Sequence, residues 1–225
     1  EPGIDPNFEF VRQLKNALQG DQGTVFRWAD HERTVLNQIR EQLLTGTEPP
    51  ADTEELVAFI DSITGKGENV PRAMVDLRTL SGSHFFHPMT KGSASLKKVL
   101  PALMHCSLRL RELYSQPTYG PGISKNITTP VAWWQQVDGK VIDPYLLLPP
   151  LFEDCTREEV EALDVVSEEL REGGAAMAAY VRLQAENLPG KAGNAIKAGL
   201  LRYCELDTLA MVMVVQAWQA WCASE

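Results

Sequence analysis

The chain has 225 residues, enough to bury a sizeable core as one domain or one domain with a large insertion. Its 44% hydrophobic and 23% charged content is that of a globular protein, and no apolar run is long enough to span a bilayer. The net charge of −9 argues against a generic nucleic-acid binder, which carries basic excess, but is compatible with an acidic site that holds cations.

The chain opens on Glu1 with no Met, through a loop-like Glu-Pro-Gly-Ile-Asp-Pro, and is expected to be part of something longer. The first helix is predicted over 6–18, with Phe10, Val11, Leu14 and Leu18 on one side. A short buried strand is expected at 24–28. Asp30-His-Glu32 then opens a helix whose inward residues are Val35, Leu36, Ile39 and Leu43. Asp30 suits the N-cap and Glu32 the first turn, where the helix dipole favours an anion; these are the ordinary structural roles of both acids. A Pro-containing loop over 47–52 leads to an amphipathic helix over 53–63, and a second short strand is expected at 73–77. This alternation of helix and strand is the signature of an α/β layer fold.

Lys91-Gly-Ser-Ala-Ser-Leu-Lys-Lys98 is expected to start another helix, with a serine cap and three lysines. Its Gly and Ser residues can offer backbone N–H groups to a phosphate, although a solvated helix start is the commoner use of such a stretch. Helical phase separates Arg109 from Arg111. From 116 to 150 the chain is loop-like and rich in Pro, Gly and aromatics. Within it, Trp133 to Ile142 is predicted as a hairpin turning at Asp138-Gly139, with Trp133 and Trp134 on opposite faces of a strand. Packing in the core is the ordinary fate of both tryptophans, and contact with a base or a protein partner is the alternative. Thr156-Arg-Glu-Glu159 is a capping box opening a helical region interrupted at Gly173-Gly174, and a further helix is expected over 175–186.

The last helix carries the most informative residues, Tyr203-Cys-Glu-Leu-Asp207. Tyr203 and Asp207 lie four apart and share a face with Leu200, Ala210, Met211 and Val214. A carboxylate on an apolar stripe is costly to bury unless it is paired or binds a metal. The four cysteines form no C-x-x-C pair; buried thiols in a reducing, cytoplasmic setting are expected, not a zinc site or a disulfide framework. His84 and His87 have no partner motif and read as surface or satisfied core residues.

Two stretches resemble the acidic motifs of the DEDD 3′–5′ exonucleases of the ribonuclease H-like superfamily. Gly23-Thr-Val-Phe-Arg-Trp-Ala-Asp-His-Glu32 is similar to the strand and helix start of their second motif, and Tyr203-x-x-x-Asp207 to their third, in its Tyr variant. More narrowly, the chain resembles a bacterial domain-of-unknown-function family with a predicted fold of this kind. The matching text is Gly92-Ser-Ala-Ser-Leu-Lys97, Thr128 to Lys140, Asp143-Pro-Tyr145 and Tyr203 to Met211.

The resemblance implies an α/β, ribonuclease H-like core with a helical and β-hairpin insertion. The N-terminal part of the core would span 1–115, the insertion 116–190, and the helix with the Tyr-x-x-x-Asp motif 191–225. It also implies a site for two Mg²⁺ or Mn²⁺ ions, with Glu32 and Asp207 as metal ligands, Asp76 as a weaker candidate ligand, and Tyr203 orienting the attacking water. The substrates implied are nucleic-acid 3′ ends, with no membrane association; a protein partner at the Trp133–Trp134 hairpin is the alternative. The first motif, Asp-x-Glu on an opening strand, is missing. No such pair precedes Glu32 on a strand-like segment, and Asp5 and Glu9 have the wrong spacing. Little or no nuclease activity is therefore expected of these 225 residues.

Overall fold

A computed structural model of the chain describes residues 6–65, 70, 72–149 and 190–223. The Thr156–Glu159 capping box, the Gly173-Gly174 break, the helix expected over 175–186 and Cys155 lie outside the described residues. The described part is mixed α/β, mostly helical with few strands. It divides into two compact units, with the boundary between Phe86 and His87.

The first unit contains α1 (Asn7–Leu18), β1 (Phe26–Arg27), α2 (His31–Thr45), α3 (Thr53–Thr64), β2 (Val75–Asp76) and α4 (Leu77–His84). Its core is Val11 of α1, Leu36, Ile39 and Leu43 of α2, and Leu56, Ile60 and Ile63 of α3. These recur at three- and four-residue spacing, so each helix turns one apolar stripe inward and the three pack together. Phe10 departs from the expected face of α1 and lies 48% exposed, while Leu14 packs against the core. β1 and β2 pair in parallel, Phe26 opposite Val75 and Arg27 opposite Asp76, with α2 and α3 in the crossover between them. Both strands are two residues long, shorter than the apolar runs that announced them. Gly65 ends α3 in the left-handed conformation (φ 78°), which a residue lacking a Cβ adopts without strain.

The second unit contains a short 3₁₀ turn at Pro88–Thr90, α5 (Leu96–Cys106), α6 (Leu108–Tyr114), β3 (Gln136–Val137), β4 (Lys140–Val141), a 3₁₀ turn at Pro144–Leu147 and α7 (Gly190–Cys222). α5 starts at Leu96, so Lys91 to Ser95 lead into the helix instead of forming its first turn. Ser95 holds the N-cap position without a side-chain capping bond. α5 and α6 pack on α7. The buried line of α7 runs through Ile196, Tyr203, Leu206, Ala210, Met213, Val214 and Ala217.

The hairpin forms as predicted from Asp138-Gly139. Both residues take positive φ, 49° and 77°, as a tight two-residue turn with the twist of the flanking strands demands. Trp133 and Trp134 precede β3, however, and are not strand residues. Trp133 is fully buried, meeting the Tyr119 ring edge-on at 5.9 Å between centroids. Trp134 donates its indole N–H to the Met104 carbonyl (2.8 Å) and carries the Arg111 guanidinium over its ring. Trp134 thereby fastens the loop to α5, while Trp133 packs inside the loop against Tyr119. Cys106, Cys204 and Cys222 are free and exposed, contrary to the expectation of buried thiols. No helix among the described residues is long and apolar enough to cross a membrane.

Candidate functional site

In the first unit the predicted acids stand in different settings. Glu32 lies exposed in the first turn of α2. Asp30 takes the N-cap position of that helix but makes no capping bond. It pairs instead with Arg27 Nη1 (2.9 Å) and Arg33 Nε (3.6 Å), so the cap expected of it is not formed. Asp76 is the N-cap of α4: its Oδ1 accepts the backbone N–H groups of Arg78, Thr79 and Ala29, and its Oδ2 lies 3.2 Å from Arg27 Nη1. Burial alone would raise the Asp76 carboxyl, but these amides and Arg27 outweigh it and hold the group below the usual range. Arg27 itself is almost fully buried beside it.

In the second unit, three of the four segments carrying the family resemblance meet at one place. Tyr203 and Asp207 come from α7, Tyr145 from the Asp143-Pro-Tyr145 turn, and Lys97 from the Gly92–Lys97 segment. Tyr145 donates its hydroxyl to Asp207 Oδ1 at 2.5 Å. The Tyr145 and Tyr203 rings lie 5.8 Å apart, and the Lys97 ammonium sits over both, 5.5 Å from the first centroid and 4.9 Å from the second. Asp143 sets up this arrangement by capping its own turn, accepting the Tyr145 backbone N–H at 3.1 Å with Pro144 at the first helical position. Both rings are buried, and Asp207 is half-buried at the edge of the apolar stripe of α7.

The electrostatics follow from this geometry. Burial, reinforced by Asp207, pushes the Tyr145 and Tyr203 phenols well above their ordinary range. Both stay protonated near neutral pH, able to orient a water or a carboxylate but not to remove a proton as phenolates. Burial also raises the Asp143 carboxyl, partly offset by the Tyr145 amide and by Lys98 and Lys97. The cluster thus brings together two hydrogen-bonded carboxyl groups, Asp207 and Asp143, two neutral phenols and a cation.

Sequence reasoning missed Tyr145 and Glu205. Glu205 accepts the Tyr119 hydroxyl (2.7 Å), the Asn126 backbone N–H (3.0 Å) and the Asn126 side-chain amide (2.7 Å), tying the 119–126 loop to α7 two residues before Asp207 and on a different face of the helix. An open cavity of about 460 Å³ lies beside it, lined in part by Ile123, Leu201, Cys204 and Val212. Burial raises the Glu205 carboxyl, but hydrogen bonds from Ser124, Tyr119 and Asn126 more than compensate and hold it below the usual glutamate value. A carboxyl with a depressed folded-state pKa stabilises the fold above its unfolded-state pKa of about 4.3, and that contribution fades as pH falls through the lower folded value. Glu205→Ala is therefore expected to cost about 2 kcal/mol at neutral pH, the loss of charged hydrogen bonds in a half-buried setting. Urea unfolding followed across pH checks this: the gap between parent and variant should close in acid, and a gap independent of pH would contradict the assignment.

Among the described residues, no three of His, Cys, Asp and Glu gather where they can hold a metal ion. By themselves the Asp207 and Asp143 carboxyls, a lysine and two phenols, among the described residues, do not supply the several oxygen ligands that each of two Mg²⁺ or Mn²⁺ ions requires.

Residues 1–95 match the model of a domain of unknown function, DUF2779. The match includes Glu32 and Asp76 and ends before Lys97, Tyr145, Tyr203 and Asp207. No curated protein and no solved structure matches the chain.

Proposed function

We propose that this chain carries part of a metal-dependent phosphodiesterase of the 3′–5′ exonuclease type, on a ribonuclease H-like scaffold, acting on nucleic-acid 3′ ends. The observation that carries the reading is the Tyr203–Asp207 pair on one helical face, its carboxylate held by a second phenol and a lysine alongside. In this reading Asp207 and Glu32 are metal ligands, with Asp76 as a lesser candidate, and Tyr203 orients the attacking water through its protonated hydroxyl. The ligand set is incomplete without an Asp-x-Glu pair on a strand, so the 225 residues alone are expected to be inactive and no catalytic step is derived through the ions. The test is Mn²⁺-dependent trimming of single-stranded oligonucleotides by the full-length protein and its Asp207→Ala variant.

A second reading, a non-catalytic nucleic-acid- or protein-binding module on the same scaffold, is favoured by the lysine and phenols gathered at Asp207, where the described residues include no metal-holding group of acids. A contact surface at the hairpin would have to be built from Trp134 and the strand residues, because Trp133 has no exposed surface to offer. Binding of single strands by a full-length protein that never trims them would favour this reading over the first.

A further inference from the structure

No residue lining the cavity between the 119–126 loop and α7 belongs to the Asp207 cluster. We propose that this cavity binds one free medium-chain carboxylate, its alkyl chain along α7 and its carboxylate on Lys125. The inference does not rest on the phosphodiesterase reading.

Lining, rigidity and charge carry it. Leu201, Thr208 and Val212 share one face of α7 and line the cavity from the helix side. Leu201 is 46% and Val212 45% exposed, and Ile123, 67% exposed, lines the same opening from the loop. Together they leave apolar surface in water that an alkyl chain would cover. The volume of about 460 Å³ falls within the roughly 300–1,000 Å³ of small-molecule sites. The loop wall stands ready before any ligand arrives. Glu205 takes the Tyr119 hydroxyl and two donors of Asn126, and Ser124 Oγ accepts the Asn126 and Ile127 backbone N–H groups. A preformed wall spares the ordering cost of binding. The polar groups of the lining then select the head of the ligand. Tyr119 and Thr208 donate their hydroxyls to Glu205 and to the Cys204 carbonyl, and the Glu205 charge is met by its own donors. Lys125 is left, an exposed lining ammonium with no ion pair among the described residues. An apolar body with one anionic end complements that combination.

The probe is decanoate, and the reporter is Cys204, an exposed thiol in the cavity wall. Alkylation of the 225-residue chain by iodoacetamide is followed cysteine by cysteine by peptide mass spectrometry, with exposed Cys106 on α5 as the internal control. Decanoate below its micelle threshold is expected to slow Cys204 about tenfold near saturation and to leave Cys106 unchanged. Octanoate should need about fourfold more for half protection, because two methylenes covered on one side contribute about half their full burial energy. Lys125→Gln should raise the decanoate requirement about fivefold, the effect of one exposed ion pair, and Lys125→Arg should restore it. Val212→Asp sets a charge in the apolar wall and should raise it at least about tenfold. Circular dichroism melts of each variant separate a lost contact from a lost fold. Absence of protection by decanoate overturns the proposal, as does equal slowing at Cys106. So does indifference to either Lys125→Gln or Val212→Asp in a folded variant, or equal protection by decyltrimethylammonium. Protection by phosphatidylglycerol vesicles in place of monomeric decanoate also overturns it, by making this face a membrane contact.

Discussion

Asp207→Ala in the full-length protein is expected to slow metal-dependent trimming of single-stranded ends at least about 100-fold. Loss of a mere outer-shell partner of a metal site typically costs 10- to 100-fold, and the proposed role of Asp207 is that of a direct ligand. The fold should survive, because the residue is half-buried at the edge of the buried line of α7 and alanine is the better helix former. The substitution does strip the buried Tyr145 hydroxyl of its acceptor, at a cost of about 1–2 kcal/mol. Asp207→Asn resolves the ambiguity, since the amide oxygen still accepts from Tyr145 while the charge is gone. Equal loss in both variants means that the reaction needs the carboxylate; an Asp207→Asn protein as fast as the parent would remove Asp207 from the chemistry. The readout is initial rate at saturating Mn²⁺, with thermal midpoints measured alongside.

The largest effect on stability is expected at Trp133. Its side chain is fully buried, packs edge-on against Tyr119, and lies next in the chain to the residue that bonds the Met104 carbonyl of α5. Tyr119 in turn donates to Glu205 on α7. Truncation leaves a cavity the size of an indole beneath this chain of contacts, so Trp133→Ala should destabilise the protein by about 3–5 kcal/mol. Trp133→Phe keeps an apolar ring against Tyr119 and should cost about 1–2 kcal/mol. Urea unfolding measures both. A Trp133→Ala protein as stable as the parent would mean that the tryptophan is not core and would restore it as a candidate contact residue.

What the sequence made legible, and what it hid, follows from the range of the interactions involved. α2 and α3 were readable because Leu36, Ile39 and Leu43, and Leu56, Ile60 and Ile63, repeat at the helical period. The β3–β4 turn was readable because Asp138-Gly139 is one of few pairs that accept positive φ at both positions. Tyr203 and Asp207 were readable as neighbours because four residues is one helical turn. The partner of Asp207 was not, since Tyr145 lies 62 positions away and nothing local in Asp143-Pro-Tyr145 says which helix it will meet. Glu205 resembled a solvated helix residue; its role appears only when the 119–126 loop folds over it. Asp30 failed as a cap because Arg27, three residues earlier, offers its carboxylate a charged partner, which outcompetes the backbone amides. The tryptophans left the strand expected of them because burial against Tyr119 and α5 fixes them before β3 begins.

The nuclease account depends most on a cation meeting the α7 carboxylate. Crystals of the full-length protein soaked in Mn²⁺, with data collected at the manganese absorption edge, test this directly. The account predicts an anomalous peak within about 2.2 Å of an Asp207 carboxylate oxygen, at the hard-oxygen distance of such ions. Well-occupied Mn²⁺ elsewhere in the molecule, with none at Asp207 and its Oδ1 still bonded to Tyr145, would contradict it.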